Sequence, residues 1–179
     1  MRTFVLIVLL VLTGCVTTGN TVDKSKMAEG YYMKGLSHLQ EKNYEMASVE
    51  FNRSLQHDGN FKQSYYGLGI ISDYQGKLDA AAKYYLAAID KDPDYSEAYN
   101  SLGVIYSKQK KWKEAVKAFN KALVNKLYTT PHIPFLNLGD LYMELKEYEK
   151  AEEAYRESKG FVNIEWTVIK LGTALLEAG

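Results

Sequence analysis

Cysteine is almost absent: Cys15 is the only one in 179 residues, so no internal disulfide can staple the fold. Proline is nearly as scarce, with three copies at Pro93, Pro131 and Pro134, so long stretches are free of the strongest helix breaker. Charge of one sign is not in excess: 22 Lys and Arg balance 22 Asp and Glu, and no long charge run occurs. That excludes the basic footprint on which electrostatic binding of nucleic acid depends. The longest apolar run, Phe4–Leu12, counts nine residues, whereas a helix crossing a bilayer needs roughly 20.

Chemistry-bearing patterns are missing too. His38, His57 and His132 fall in three unrelated contexts and share no ligand spacing with acidic residues, and His38 sits where a packing role is expected. There is no HExxH, CxxC, GxSxG or P-loop. Gly67-Leu68-Gly69 supplies two glycines of a dinucleotide-binding pattern but has no strand before it. Glu152 and Glu153 lie on a face expected to be solvated. The expectation is a protein without catalytic residues, metal or cofactor.

What the sequence has is a period. Residues 96–125 read as two short amphipathic helices around a polar hinge, Lys108–Lys111. Tyr99, Leu102, Gly103 and Tyr106 share one face of the first, and Trp112, Ala115, Val116 and Phe119 one face of the second. The glycine recurs at Gly35, Gly69, Gly103, Gly139 and Gly172, in steps of 34, 34, 36 and 33. Ala47, Ala81, Ala115 and Ala151 recur in the second helices, as do Phe51, Tyr85, Phe119 and Tyr155. Mid-helix glycine costs about 1 kcal/mol relative to alanine, so a periodic one needs a reason. Close approach of the first helix to the small alanine of the second is the expected reason, with the aromatics filling gaps between hairpins. Most of the fifteen tyrosines fall at such core positions.

The spacing and residue types resemble the tetratricopeptide repeat. The resemblance implies an all-α solenoid of antiparallel helix hairpins, four repeats plus a half repeat. The repeats read as 28–61, 62–95, 96–131 with a short insertion, and 132–164. Helices are expected near 28–41, 44–57, 134–145 and 148–159, with Asp92-Pro93-Asp94 closing the second repeat and Pro134 starting the seventh helix. Residues 165–179 supply a first helix carrying Leu171-Gly172 on schedule, and Leu171, Leu175 and Leu176 have no polar substitute for a partner. That half repeat reads as truncated rather than as a polar-faced cap.

In that family the first helix of each repeat lines a concave groove. The resemblance places the residues three before and one after each glycine there: Tyr32 and Leu36, Tyr66 and Ile70, Asn100 and Val104, Leu136 and Asp140, joined by Ile169. Some of these serve inter-helix packing on the alternative reading. An aromatic, apolar groove with polar points at Asn100 and Asp140 suits a helix or extended apolar segment of a partner protein. It does not resemble the carboxylate clamp of chaperone-binding members, since Tyr32 and Leu36 stand where the clamp has Lys and Asn.

Residues 1–14 read as a secretory signal, with Arg2 before the apolar run. Leu12-Thr13-Gly14-Cys15 resembles a bacterial lipobox, which implies a lipidated Cys15 at the mature N-terminus. More than one acyl chain gives stable anchoring where a single chain is marginal. Val16 follows rather than Asp, which among lipoproteins implies the outer membrane. Residues 15–27 carry the lipidated cysteine and a polar tether, at most ~40 Å long at ~3.3 Å per residue.

Lipobox, tether and repeats together resemble the type IV pilus pilotin family. Leu127-Tyr128-Thr129-Thr130-Pro131, followed by Asn137-Leu138-Gly139, is similar to that family's lengthened junction before its fourth repeat. The resemblance implies a periplasmic, lipid-anchored scaffold that binds a secretin subunit and assists its localisation and multimerisation. Members usually carry more repeats than this chain. An adaptor docking cell-wall hydrolases is the other expected role, and nucleic acid is not an expected partner.

Overall fold

The computed structural model describes residues 19–161 and 165–179, so Cys15 and the lipobox lie outside the described residues. Among those described are nine helices and no strand. In chain order they are α1 (Gly19–Gln40), α2 (Tyr44–His57), α3 (Lys62–Tyr74), α4 (Leu78–Lys91) and α5 (Ser96–Lys108). There follow α6 (Trp112–Ala122), α7 (His132–Glu144), α8 (Tyr148–Phe161) and α9 (Glu165–Ala178). Helices α1 to α8 pair as four antiparallel hairpins, and α9 packs on α8. This is the all-α hairpin stack that the repeat period predicts.

Two boundaries differ from expectation. Helix α1 begins at Gly19, within the stretch read as a tether. No proline interrupts Asn20–Met27, so helical hydrogen bonding propagates backwards from the first repeat. At ~1.5 Å per helical residue this segment is also much shorter than an extended tether. Helix α7 begins at His132 rather than Pro134, with Pro131 at its N-cap and Pro134 buried in its first turn. A first-turn proline lacks only an N–H that would have had no helical partner.

The four hairpin turns share one device. Lys42, Gly76, Lys110 and Lys146 adopt left-handed backbone, with φ of 58°, 70°, 58° and 60°. After α5, Lys110 N–H donates to the Ser107 carbonyl at 2.9 Å and Lys111 N–H to the Tyr106 carbonyl at 2.8 Å. This is a Schellman closure, which satisfies the last carbonyls and reverses the chain in few residues. The same pair of bonds recurs after α1, α3 and α7. Lysine at this position bears a steric cost that glycine avoids, and only Gly76 is spared it.

The periodic glycines face the rings of the second helices, not the alanines, which corrects the sequence reading. A Cβ on Gly35 would lie 2.5 Å from the Phe51 ring, one on Gly69 2.5 Å from Tyr85, and one on Gly103 2.5 Å from Phe119. Gly139 meets Tyr155 in the same way. Phe51 is clamped on both edges, since a Cβ on Gly67 of the next hairpin would come within 2.6 Å of it. The alanines Ala47, Ala81, Ala115 and Ala151 are fully buried, and the four rings are at most 2% exposed. A flat ring needs a flat surface, and helix backbone without a side chain provides one.

Gly172 has nothing within 4 Å of where its Cβ would stand. Gly103→Ala should therefore lower stability by about 1–2 kcal/mol through overpacking, even after gaining about 1 kcal/mol in helix propensity. Gly172→Ala should be neutral or stabilising by up to ~1 kcal/mol. Urea unfolding followed by helicity checks both, and equal effects at the two sites would show that the ring contact is not what the glycine serves.

Candidate functional site

Successive first helices touch one another directly, α1 with α3 and α5 with α7, and second helices make no comparable contact. The stack therefore bends towards its first helices, and α1, α3, α5, α7 and α9 line the inner face. Polar side chains bridge them. The Tyr66 and Ser101 hydroxyls lie 3.2 Å apart, and Asn137 Nδ2 donates to Asn100 Oδ1 at 2.9 Å. Lys108 Nζ reaches Asp73 at 2.8 Å, and Lys170 pairs with Asp140, which also accepts from the Tyr155 hydroxyl at 2.6 Å.

The expected groove residues divide between surface and packing. Tyr32, Tyr66, Asn100, Val104 and Asp140 are half-buried, and Ile169 is 63% exposed. Leu36 and Ile70 are half-buried against the cores around Phe51 and Tyr85. Leu136 is a correction: it is 7% exposed and packs with Tyr155, Leu171 and Ala174. An aliphatic chain facing α9 gains more from that contact than from water. His38 is half-buried, with Nδ1 3.4 Å from the Glu41 carboxylate.

The aromatic end of the inner face contains residues that the glycine register does not mark. Phe61 and Tyr95 directly precede α3 and α5, and Tyr128 lies in the lengthened junction. The Tyr32 and Phe61 rings are 5.4 Å apart and tilted, as are Tyr66 and Tyr95. Lys62 Nζ sits 4.8 Å from the Tyr95 ring centre and pairs with Asp92. Phe61 and Tyr95 are one period apart, a signal that a search of loop positions as well as helix faces could have found.

Burial raises the phenol pKa of Tyr32, Tyr66, Tyr95 and Tyr128 above its ordinary value. Neighbouring phenols add to the effect on all but Tyr66, where the Ser101 hydroxyl partly opposes it and Glu97 adds to it. The rings are thus neutral hydrogen-bonding platforms at physiological pH.

Further along, a cavity of about 340 Å³ opens between α5 and α7, lined by Val104, Ser107, Lys108, Asn137, Asp140 and Glu144 among others. It mixes both charges with the Asn137 amide and the Ser107 hydroxyl, which suits a peptide backbone or polar side chain. Among the described residues no three His, Cys, Asp or Glu side chains cluster to hold a metal ion. Among the same residues no helix is long and apolar enough to cross a membrane.

Because the phenol pKa of the buried tyrosines is raised in the fold, their stabilisation is intact below the unfolded value of about 10 and is lost as pH rises above it. Burial is the first cause for Tyr85, Tyr95 and Tyr155 alike. An alkaline titration should show part of the tyrosinate absorbance appearing only as helicity falls. Full ionisation with helicity retained would contradict the burial of these hydroxyls.

No curated protein sequence matches the chain. Solved structures do. The Pseudomonas aeruginosa pilF product superposes with a TM-score of 0.82 at 22% identity, over 87% of this chain and 71% of that one. PilW, described as a widely conserved type IV pilus biogenesis factor, gives 0.71 at 21%, over 84% and 72%. YrrB, described as a repeat protein with an unusual peptide-binding site, gives 0.68 at 19%, over 82% and 74%. Family models of the tetratricopeptide repeat match residues 28–60, 66–128 and 135–160. These segments span the four hairpins whose glycines meet the rings of their partner helices, and the chain belongs to the tetratricopeptide-repeat family.

Proposed function

We propose that this protein is a non-catalytic scaffold that binds a partner protein along the inner face of its repeats, and that it acts as an outer-membrane pilotin for a type IV pilus secretin. The observation that carries the scaffold reading is the run of half-buried rings Tyr32, Phe61, Tyr66 and Tyr95 on the inner side of the stack. Rings of this kind supply large contact area at low entropic cost and are enriched where proteins bind one another. The likeness of fold to PilW supports the pilus role. The lipobox Leu12-Thr13-Gly14-Cys15 supports attachment to a membrane through acyl chains on Cys15.

Deleting the gene should remove the detergent-resistant secretin multimer from membrane fractions while monomer remains, and the wild-type gene should restore it. Normal multimers in the deletion strain would retire the pilotin role in favour of an adaptor for other envelope proteins. Cys15→Ser should move the protein from the membrane to the soluble fraction after cell disruption. Continued membrane attachment of that variant would remove the lipid anchor from the reading.

A further inference from the structure

Glu97 stands in the first turn of α5, two residues after Tyr95 and one helical turn before Ser101. Residues four apart share a helix face, so Glu97 lies on the side where Ser101 meets the Tyr66 hydroxyl at 3.2 Å. Tyr66 and Tyr95 are themselves in ring contact at 5.4 Å. The Glu97 charge opposes ionisation of the Tyr66 and Tyr95 phenols, in keeping with that placement. The nearby cation of this cluster, Lys62, already pairs with Asp92. Among the described residues no lysine, arginine or histidine forms an ion pair with Glu97.

We infer that the aromatic end of the inner face takes a lysine or arginine side chain of the bound protein segment, held by the Glu97 carboxylate beside the rings of Tyr66 and Tyr95. Ring faces and a carboxylate both attract a cation, and their half-burial strengthens the attraction relative to open water. Arginine fits best, because its planar guanidinium can stack on a ring while its N–H groups reach the carboxylate. Lys62 over the Tyr95 ring shows that these rings accept a cation, and its own charge is matched by Asp92, so it does not oppose a second one beside Glu97. A dicarboxylate or phosphorylated segment would meet repulsion at the same place.

The inference rests on the inner face being the binding surface, as proposed above. A phage-displayed random peptide library panned against the full chain tests it. Recovered peptides should share a lysine or arginine beside apolar residues. Replacing that residue with a neutral one, or introducing Glu97→Gln, should each weaken binding at least tenfold by fluorescence anisotropy, and the two changes together should cost little more than either. Helicity of Glu97→Gln should match wild type. Peptides without a common cation, no recovered peptide, or affinity indifferent to Glu97→Gln would overturn the inference. Charge-dependent peptide binding alongside normal secretin multimers in the deletion strain would instead retire only the pilotin role.

Discussion

The contact between a bare stretch of first-helix backbone and a second-helix aromatic ring sets the geometry of this molecule. It recurs as Gly35 with Phe51, Gly69 with Tyr85, Gly103 with Phe119 and Gly139 with Tyr155. Each pair fixes how closely a hairpin closes, and the ring then reaches the next hairpin. Phe51 is clamped by Gly67, and Lys170 lies over the Tyr155 ring at 5.9 Å. Intra-hairpin packing and hairpin-to-hairpin packing therefore share the same side chain. A stack built in this way gains stability mainly from neighbours, one interface at a time.

That packing leaves a working surface. With the rings buried between hairpins, the first helices meet on one side and expose the positions that do not contact the core. Towards the N-terminal repeats these are phenols and Phe61, and towards α7 they become Asn137, Asp140 and Glu144 around a cavity. The hydrogen bond from Asn137 to Asn100 and the Tyr66–Ser101 contact stitch adjacent first helices, each contributing on the order of 1 kcal/mol net. The half-exposed pair of Lys108 with Asp73 adds less, because water and salt screen it. The inner face is thus positioned by apolar packing and only trimmed by polar contacts.

The sequence by itself determined the repeat length, the hairpin pairing and the identity of the core rings, because a helix face repeats every 3.6 residues and a stacked unit must repeat whole. Partner choice within the core was not legible. Periodic Gly and periodic Ala are both small, and only the tertiary arrangement decided that Gly35 meets Phe51 while Ala47 is simply enclosed. The register of the groove was only partly legible for the same reason. Of the residues the family resemblance names, Tyr66 and Asn100 bridge neighbouring first helices by hydrogen bonds, yet the same offset puts Leu136 under α9, where an apolar neighbour was available. Phe61, Tyr95 and Tyr128 precede helices or lie in a junction, so no helical periodicity marks them. The meeting of Phe61 with Tyr32 and of Tyr95 with Tyr66 was decided by the turn geometry, which brings the ends of successive repeats beside the preceding first helix.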